Sequence, residues 1–172
     1  AGRAPPPAGR TARKLTEEFP QHPFGWKLLS GVLYSQRDFP EALAAMSKAA
    51  QYGPDDAETL CNLGLMLRGA GQLDDAKSVL ERAAALDPDN INAYNHLAAT
   101  LQEMGRPTEA LAGVTAALAI VPDDTGALAS IAVILDNLGR ADEAVEAYRR
   151  LLAREPNHSN AYGNMLFCMS HM

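Results

Sequence analysis

Aromatic residues make up only 6% of this 172-residue chain, and it contains just two cysteines. No apolar run approaches the ~20 residues of a membrane-spanning helix, so no membrane segment is expected. The first ten residues, Ala1 to Arg10, hold no apolar stretch resembling a secretory signal. Pro5, Pro6 and Pro7 instead predict an extended or disordered lead-in over 1–7. Positive charge is short as well. Fifteen Lys and Arg against 21 Asp and Glu give a net charge of −6. A nucleic-acid binder would need a concentrated basic face, so no nucleic-acid partner is expected.

Signatures of chemistry are missing too. There is no G-x-x-x-x-G-K-[ST], no H-E-x-x-H, no paired C-x-x-C and no G-x-S-x-G. His22, His96, His158 and His171 are too scattered to build a metal site. The expectation is therefore no catalytic residue, no metal and no cofactor: the chain is not an enzyme. Cys61 and Cys168 fall three repeats apart in the register below, beyond the roughly 7 Å between Cα atoms that a disulfide tolerates. Two free thiols fit a reducing compartment and point to the cytoplasm. Two incidental cysteines would be equally at home in any compartment.

What the chain does have is a period. Pro54, Pro88, Pro122 and Pro156 are each 34 residues apart, and Pro20 keeps the same interval to Pro54. A proline-terminated period of this length with two amphipathic halves is the mark of a helix–turn–helix solenoid. Repeats numbered from Pro23, Ala57, Ile91 and Thr125 align well. Position 4 holds Trp26, Leu60, Tyr94 and Leu128; position 7 holds Leu29, Leu63, Leu97 and Ile131; position 11 is always leucine, Leu33, Leu67, Leu101 and Leu135. Spacings of three and four place these residues on one stripe of a first helix. Position 8 is small (Ser30, Gly64, Ala98, Ala132) and position 20 is alanine throughout (Ala42, Ala76, Ala110, Ala144), so two helices can approach closely. Met46, Leu80, Val114 and Tyr148 at position 24, with Ala49, Ala83, Ala117 and Leu151 at position 27, give the second helix its stripe.

The punctuation agrees. Gly71, Gly105 and Gly139 at position 15 suit a left-handed helix end, and Arg37 in the first repeat predicts a strained turn. Asp38 with Glu41, and Asp55 with Glu58, have capping-box spacing. The acidic pairs Asp55-Asp56, Asp74-Asp75 and Asp123-Asp124 read as helix caps and dipole partners. Arg149, Arg150 and Arg154 read as a solvated face.

This pattern resembles the tetratricopeptide repeat (TPR) family, on Trp26-x-x-Leu29 through Ala42 to Pro54, Leu63-Gly64 through Ala76 to Pro88, and their equivalents. The resemblance implies an all-α, right-handed solenoid of antiparallel helix pairs. A lead-in over 1–7 and a half-repeat helix over 8–22 would precede four repeats at 23–56, 57–90, 91–124 and 125–158. A capping helix would follow over 159–172, with Leu166 where every full repeat has a small residue. Its uncovered Met165, Leu166, Phe167 and Met169 predict self-association as a homodimer or mark an excised boundary.

In that family, positions 2, 5, 6, 9, 12 and 13 of the first helices line a concave groove for a peptide or partner protein. The candidate groove residues are Lys27 and Tyr34; Asn62, Leu65 and Arg68; Asn95, His96 and Gln102; Ser130, Val133 and Asn137; and Asn164. Amides offer a donor and an acceptor together, so they can grip a peptide backbone whatever its side chains. A dicarboxylate clamp for an acidic chaperone tail matches only at Lys27 and Asn62; Gly31, Asn92 and His96 depart from it. The segments Phe19–Trp26 and Asn160–Cys168 resemble the TPR arm of bacterial SPINDLY-like relatives of O-GlcNAc transferase. That implies a ladder of position-6 asparagines, kept at Asn62 and Asn164 and interrupted at Leu28, His96 and Ser130. The first expectation is thus a non-catalytic interaction scaffold. The alternative is the recognition arm of a glycosyltransferase whose catalytic region is absent from this chain.

Overall fold

The protein, seen in a computed structural model, is described over residues 7–171. Of the lead-in expected over 1–7, residues 1–6 lie outside the described residues and Pro7 belongs to the first helix. Ten helices and no strand occur among the described residues: α1 (Pro7–Glu18), α2 (Pro23–Ser35), α3 (Phe39–Tyr52), α4 (Ala57–Gly69), α5 (Leu73–Leu86), α6 (Ile91–Glu103), α7 (Pro107–Ile120), α8 (Thr125–Asn137), α9 (Ala141–Arg154) and α10 (Ser159–Met169). None is long and apolar enough to cross a membrane. The chain divides into two compact units, Ala1–Leu86 and Asp87–Met172. Helix pairs α2/α3 and α4/α5 form the first; α6/α7 and α8/α9 form the second. The half-repeat helix is shorter than 8–22. It opens on Pro7, whose missing N–H costs nothing at a first helical position, and ends at Glu18 ahead of Pro20.

Each hairpin turn is closed in the same way. The N–H groups of Asp38, Gln72, Arg106 and Arg140 donate to the position-11 carbonyls of Leu33, Leu67, Leu101 and Leu135 at 2.9–3.0 Å. The preceding residue donates to the position-12 carbonyl, completing a Schellman motif. The motif demands a left-handed residue, and Gly71, Gly105 and Gly139 supply it with φ of 71–76°. Arg37 adopts the same conformation at φ 63°, the strained turn that its side chain foretold.

Caps at the start of first helices follow a second register. His22, Asp56, Asn90, Asp124 and His158, each 34 residues apart, accept backbone N–H bonds on entering α2, α4, α6, α8 and α10. Asp56, and not Asp55, therefore caps α4, because only the residue directly before the helix can reach the Thr59 N–H at 3.2 Å. Asp55 pairs with Arg82 instead. Asp38 caps α3 through Glu41 N–H, while the Glu41 carboxylate turns to Arg13 of α1. Asp74 and Asp75 lie in the first turn of α5, where the helix dipole favours them.

Close approach defines the hairpins. Ala42, Ala76, Ala110 and Ala144 have no exposed surface, and neither do Ala98 and Ala132 opposite. Ser30 fits at position 8 because its hydroxyl donates to the Ala42 carbonyl at 2.8 Å. Gly64 leaves no room at all: a Cβ there would lie 2.4 Å from Leu80 Cγ. At the end of the array the pattern breaks. Leu166 and Tyr162 of α10 are 61% and 51% exposed at positions that are buried or half-buried in the other first helices. Met165 packs beside the core formed by Leu128, Tyr148, Leu151 and Cys168. Gly64→Ala is expected to lower the unfolding free energy in urea by about 1–3 kcal/mol through overpacking. Gly113→Ala, whose Cβ would meet nothing nearer than 3.8 Å, should raise it by up to about 1 kcal/mol. Equal effects at both sites would show that close approach does not fix the hairpin.

Candidate functional site

The first-helix face differs in character between the two units. In the first, Lys27 projects from α2 and is already engaged. Its ammonium lies 3.0 Å from Asp56 and 3.1 Å from Glu58. Burial opposes the charge on both Lys27 and Asp56. Hydrogen bonds outweigh it, from Thr59 and Lys27 to Asp56 and from Lys27 to Asp56 and Glu58. They hold the carboxyl below its usual range and the ammonium above its own. Lys27 thus ties α2 to the cap of α4, and Asn62 is left exposed beside it.

Tyr34, Leu65 and Arg68 come together at the far end of the same face. They border a cleft of about 590 Å³ completed by Phe39, Pro40, Leu43, Met66, Gly69 and Ala70. Tyr34 and Phe39 meet edge to face with centroids 5.3 Å apart, and each is about half exposed. The groove pattern missed Phe39, Pro40, Leu43 and Met66, since they fall outside its positions. The visible signal was the aromatic-proline pair Phe39-Pro40 at a helix start, where burial is not expected.

In the second unit Asn95 repeats the part of Lys27. Its Nδ2 donates to the Asp124 cap of α8 at 2.9 Å, while its Oδ1 is buried without a hydrogen-bond partner. His96, Gln102 and Ser130 are half-buried, whereas Val133, Asn137 and Asn164 are exposed. Burial raises the pKa of the Tyr148 hydroxyl, and the neighbouring Asn164 partly offsets it. Arg150 and Arg154 are more than a solvated face, since both reach back to Asp123 ahead of α8. Arg140 grips Glu143 through two nitrogens at 2.7 Å, as Arg106 does Glu109 at 2.6 Å.

Neither thiol is activated. Burial, then the nearby Glu58 charge, pushes Cys61 up to about 11. Burial and a hydrogen bond to Asp136 push Cys168 up to about 11. No group of three or more His, Cys, Asp or Glu gathers for a metal among the described residues. What the site offers is surface: exposed amides, aromatic edges and open backbone.

Comparison with known proteins gives this architecture its family. The model of the cytochrome c-type biogenesis protein H TPR domain matches residues 12–128, and a tetratricopeptide repeat model matches 101–166. The chain belongs to the tetratricopeptide repeat family. Among solved structures, YrrB, a TPR protein with an unusual peptide-binding site, is 22% identical with a TM-score of 0.78, over 95% of this chain and 84% of that one. MamA is 22% identical with a TM-score of 0.80, over 88% and 89%. TTC0263, a thermophilic TPR protein of Thermus thermophilus, is 21% identical with a TM-score of 0.71, over 94% and 88%. No curated protein matches this chain.

The Lys27–Asp56 link makes a pH-dependent contribution to the TPR fold. The share from Asp56 is complete above its ordinary value of 3.8 and is lost as pH falls through the depressed folded value. The share from Lys27 is complete below 10.5 and is lost as pH rises through the raised folded value. Lys27→Met should therefore lower the urea midpoint at pH 6, and the deficit should shrink as pH falls below 3.8 toward pH 2. A deficit unchanged at pH 2 would assign Lys27 a packing role alone.

Proposed function

We propose that this TPR protein is a non-catalytic scaffold that holds an extended peptide segment of another protein on its first-helix faces. Three glycines carry the reading. Gly31, Gly69 and Gly163 occupy groove positions of α2, α4 and α10, and a Cβ on any of them would meet nothing within 4 Å. None has a positive φ. Glycine in a helix interior is about 1 kcal/mol less favourable than alanine, and neither packing nor turn geometry asks for it here. Glycine does admit a close external backbone. The amides of Asn62, Asn137 and Asn164 stand exposed on the same faces. A structural neighbour, YrrB, is a TPR protein with an unusual peptide-binding site.

Gly31→Ala with Gly163→Ala should raise the urea midpoint while reducing peptide capture on a random-sequence array by about tenfold. Asn62→Ala with Asn164→Ala should also weaken capture and leave helicity intact. Undiminished capture by both double variants would remove the groove reading.

The exposed flank of α10 supports a second contact, with another copy of the chain. Tyr162, Leu166 and Met169 are 46–61% exposed, and α10 carries no charged residue that a twofold-related copy would repel. Leu166→Glu should then shift a sedimenting dimer to monomer; a wild type that stays monomeric at high concentration removes the contact. A place as the recognition arm of a glycosyltransferase draws support from the segments Phe19–Trp26 and Asn160–Cys168 alone. A stop codon directly after Met172 would end that alternative.

A further inference from the structure

We infer that the cleft between Tyr34 and Met66 takes an aromatic side chain of the bound peptide, so that the scaffold selects extended segments carrying phenylalanine, tyrosine or tryptophan. This deepens the scaffold reading and rests on it. The cleft lies wholly within the first unit and opens on the face assigned to the peptide, because Leu65 and Gly69 are at once groove positions of α4 and part of its wall. A Cβ added to Gly69 would meet nothing within 4 Å, which leaves room for a peptide backbone to pass. A chain lying along that face can therefore lower a side chain into the cleft.

The fold does not ask for the aromatic corner. Where the first repeat has Tyr34 at position 12, the others have Arg68, Gln102 and Asp136. In place of Phe39-Pro40 at positions 17 and 18 they have Leu73-Asp74, Pro107-Thr108 and Ala141-Asp142. Three hairpins thus close without an aromatic residue at any of these places. Tyr34 and Phe39 stay 51% and 52% exposed, side by side. Two large rings held half in water at one spot mark a recognition surface and not a core.

The wall also decides what enters. Phe39, Pro40, Leu43, Leu65 and Met66 make it apolar, and it holds no carboxylate among the described residues. A lysine or arginine side chain would be desolvated there without a partner. Arg68 is the one charged residue of the wall, and it already has an interaction of its own, so an acidic side chain has to compete for it. A neutral ring meets neither obstacle. Edge-to-face contact with Tyr34 or Phe39 adds to what burial alone supplies, and the Met66 thioether packs favourably at a ring edge. About 590 Å³ is ample for such a ring.

The test puts the full chain on an array of random-sequence peptides. Captured peptides should be enriched in phenylalanine, tyrosine and tryptophan by about threefold or more over the array as a whole. Tyr34→Gln with Phe39→Ala and Pro40→Asp should erase that enrichment and leave helicity intact, because Gln102, Ala141 and Asp142 already hold those positions in other repeats. The wild-type chain gives a second readout. A captured peptide with benzoylphenylalanine in place of its aromatic residue should, on illumination, form its adduct within residues 34–43 or 65–70, as located by mass spectrometry. If no peptide is captured, the scaffold reading fails and the inference with it. If peptides are captured with no aromatic enrichment, or with leucine, proline or charged residues enriched instead, the scaffold stands and the aromatic anchor is overturned. Enrichment that survives the triple variant, or an adduct outside those two segments, overturns it too. Should the triple variant lose helicity, the adduct on the wild-type chain decides.

Discussion

The contact between position 8 of a first helix and the second helix of its hairpin is what the rest of this TPR protein depends on. Gly64 against Leu80, Ser30 against the Ala42 carbonyl, and the fully buried Ala98 and Ala132 all bring two backbones within reach of one another. Once the helices are that close, the leucines of position 11 have only one place to go. The turn then closes by itself, because the same leucine carbonyls accept the Schellman bonds. A solenoid of this kind has no central core, so each hairpin must be stable locally and passes its geometry only to its neighbours. α10 shows the converse. It carries Leu166 at the critical place, and Leu166 and Tyr162 are exposed where the other first helices bury or half-bury that stripe.

Polar links also work at the junctions between hairpins. Lys27 to Asp56 and Asn95 to Asp124 span the same interval of 29 residues, and each joins a first helix to the cap of the next. Arg82 to Asp55 and Arg150 to Asp123 do the equivalent from second helices, at an interval of 27. Exposed pairs of this kind contribute little singly. Their effect is to orient: an aspartate that both caps a helix and accepts a side-chain bond fixes the angle at which that helix sets off. The cost falls on recognition, since Lys27 and Asn95 are no longer available to a ligand as the groove pattern implies.

The helices and their stripes were legible because one residue type recurs at one register position, leucine at 11 and alanine at 20. Arg37 was legible for the same reason, as a departure from glycine. The caps were harder to read. Asp, Asn and His alternate at position 34, and the acidic pairs offer two candidates where geometry accepts one. That histidine can cap α2 and α10 through Nδ1 follows from its ring acceptor, yet no residue count announces it. Among the candidate groove residues, Asn62, Val133, Asn137 and Asn164 are exposed. The engagement of Lys27 and Asn95 escaped the groove pattern, because each depends on an aspartate 29 residues later. The cleft beside Tyr34 escaped it too, since a third of its wall, Phe39, Pro40 and Leu43, comes from a second helix.

Trp26 is the only tryptophan in the chain, and it is half-buried against core residues of α2, α3 and α4, its indole N–H bonded to the Pro20 carbonyl at 2.8 Å and its ring beneath the Lys48 ammonium at 4.2 Å. Intrinsic emission from this molecule is consequently a local reporter: it follows the melting of the helices around α2, while circular dichroism averages all the helices described. In an array whose hairpins talk only to their neighbours, the two optical signals are free to part company, and the gap between them measures how far unfolding travels from one end.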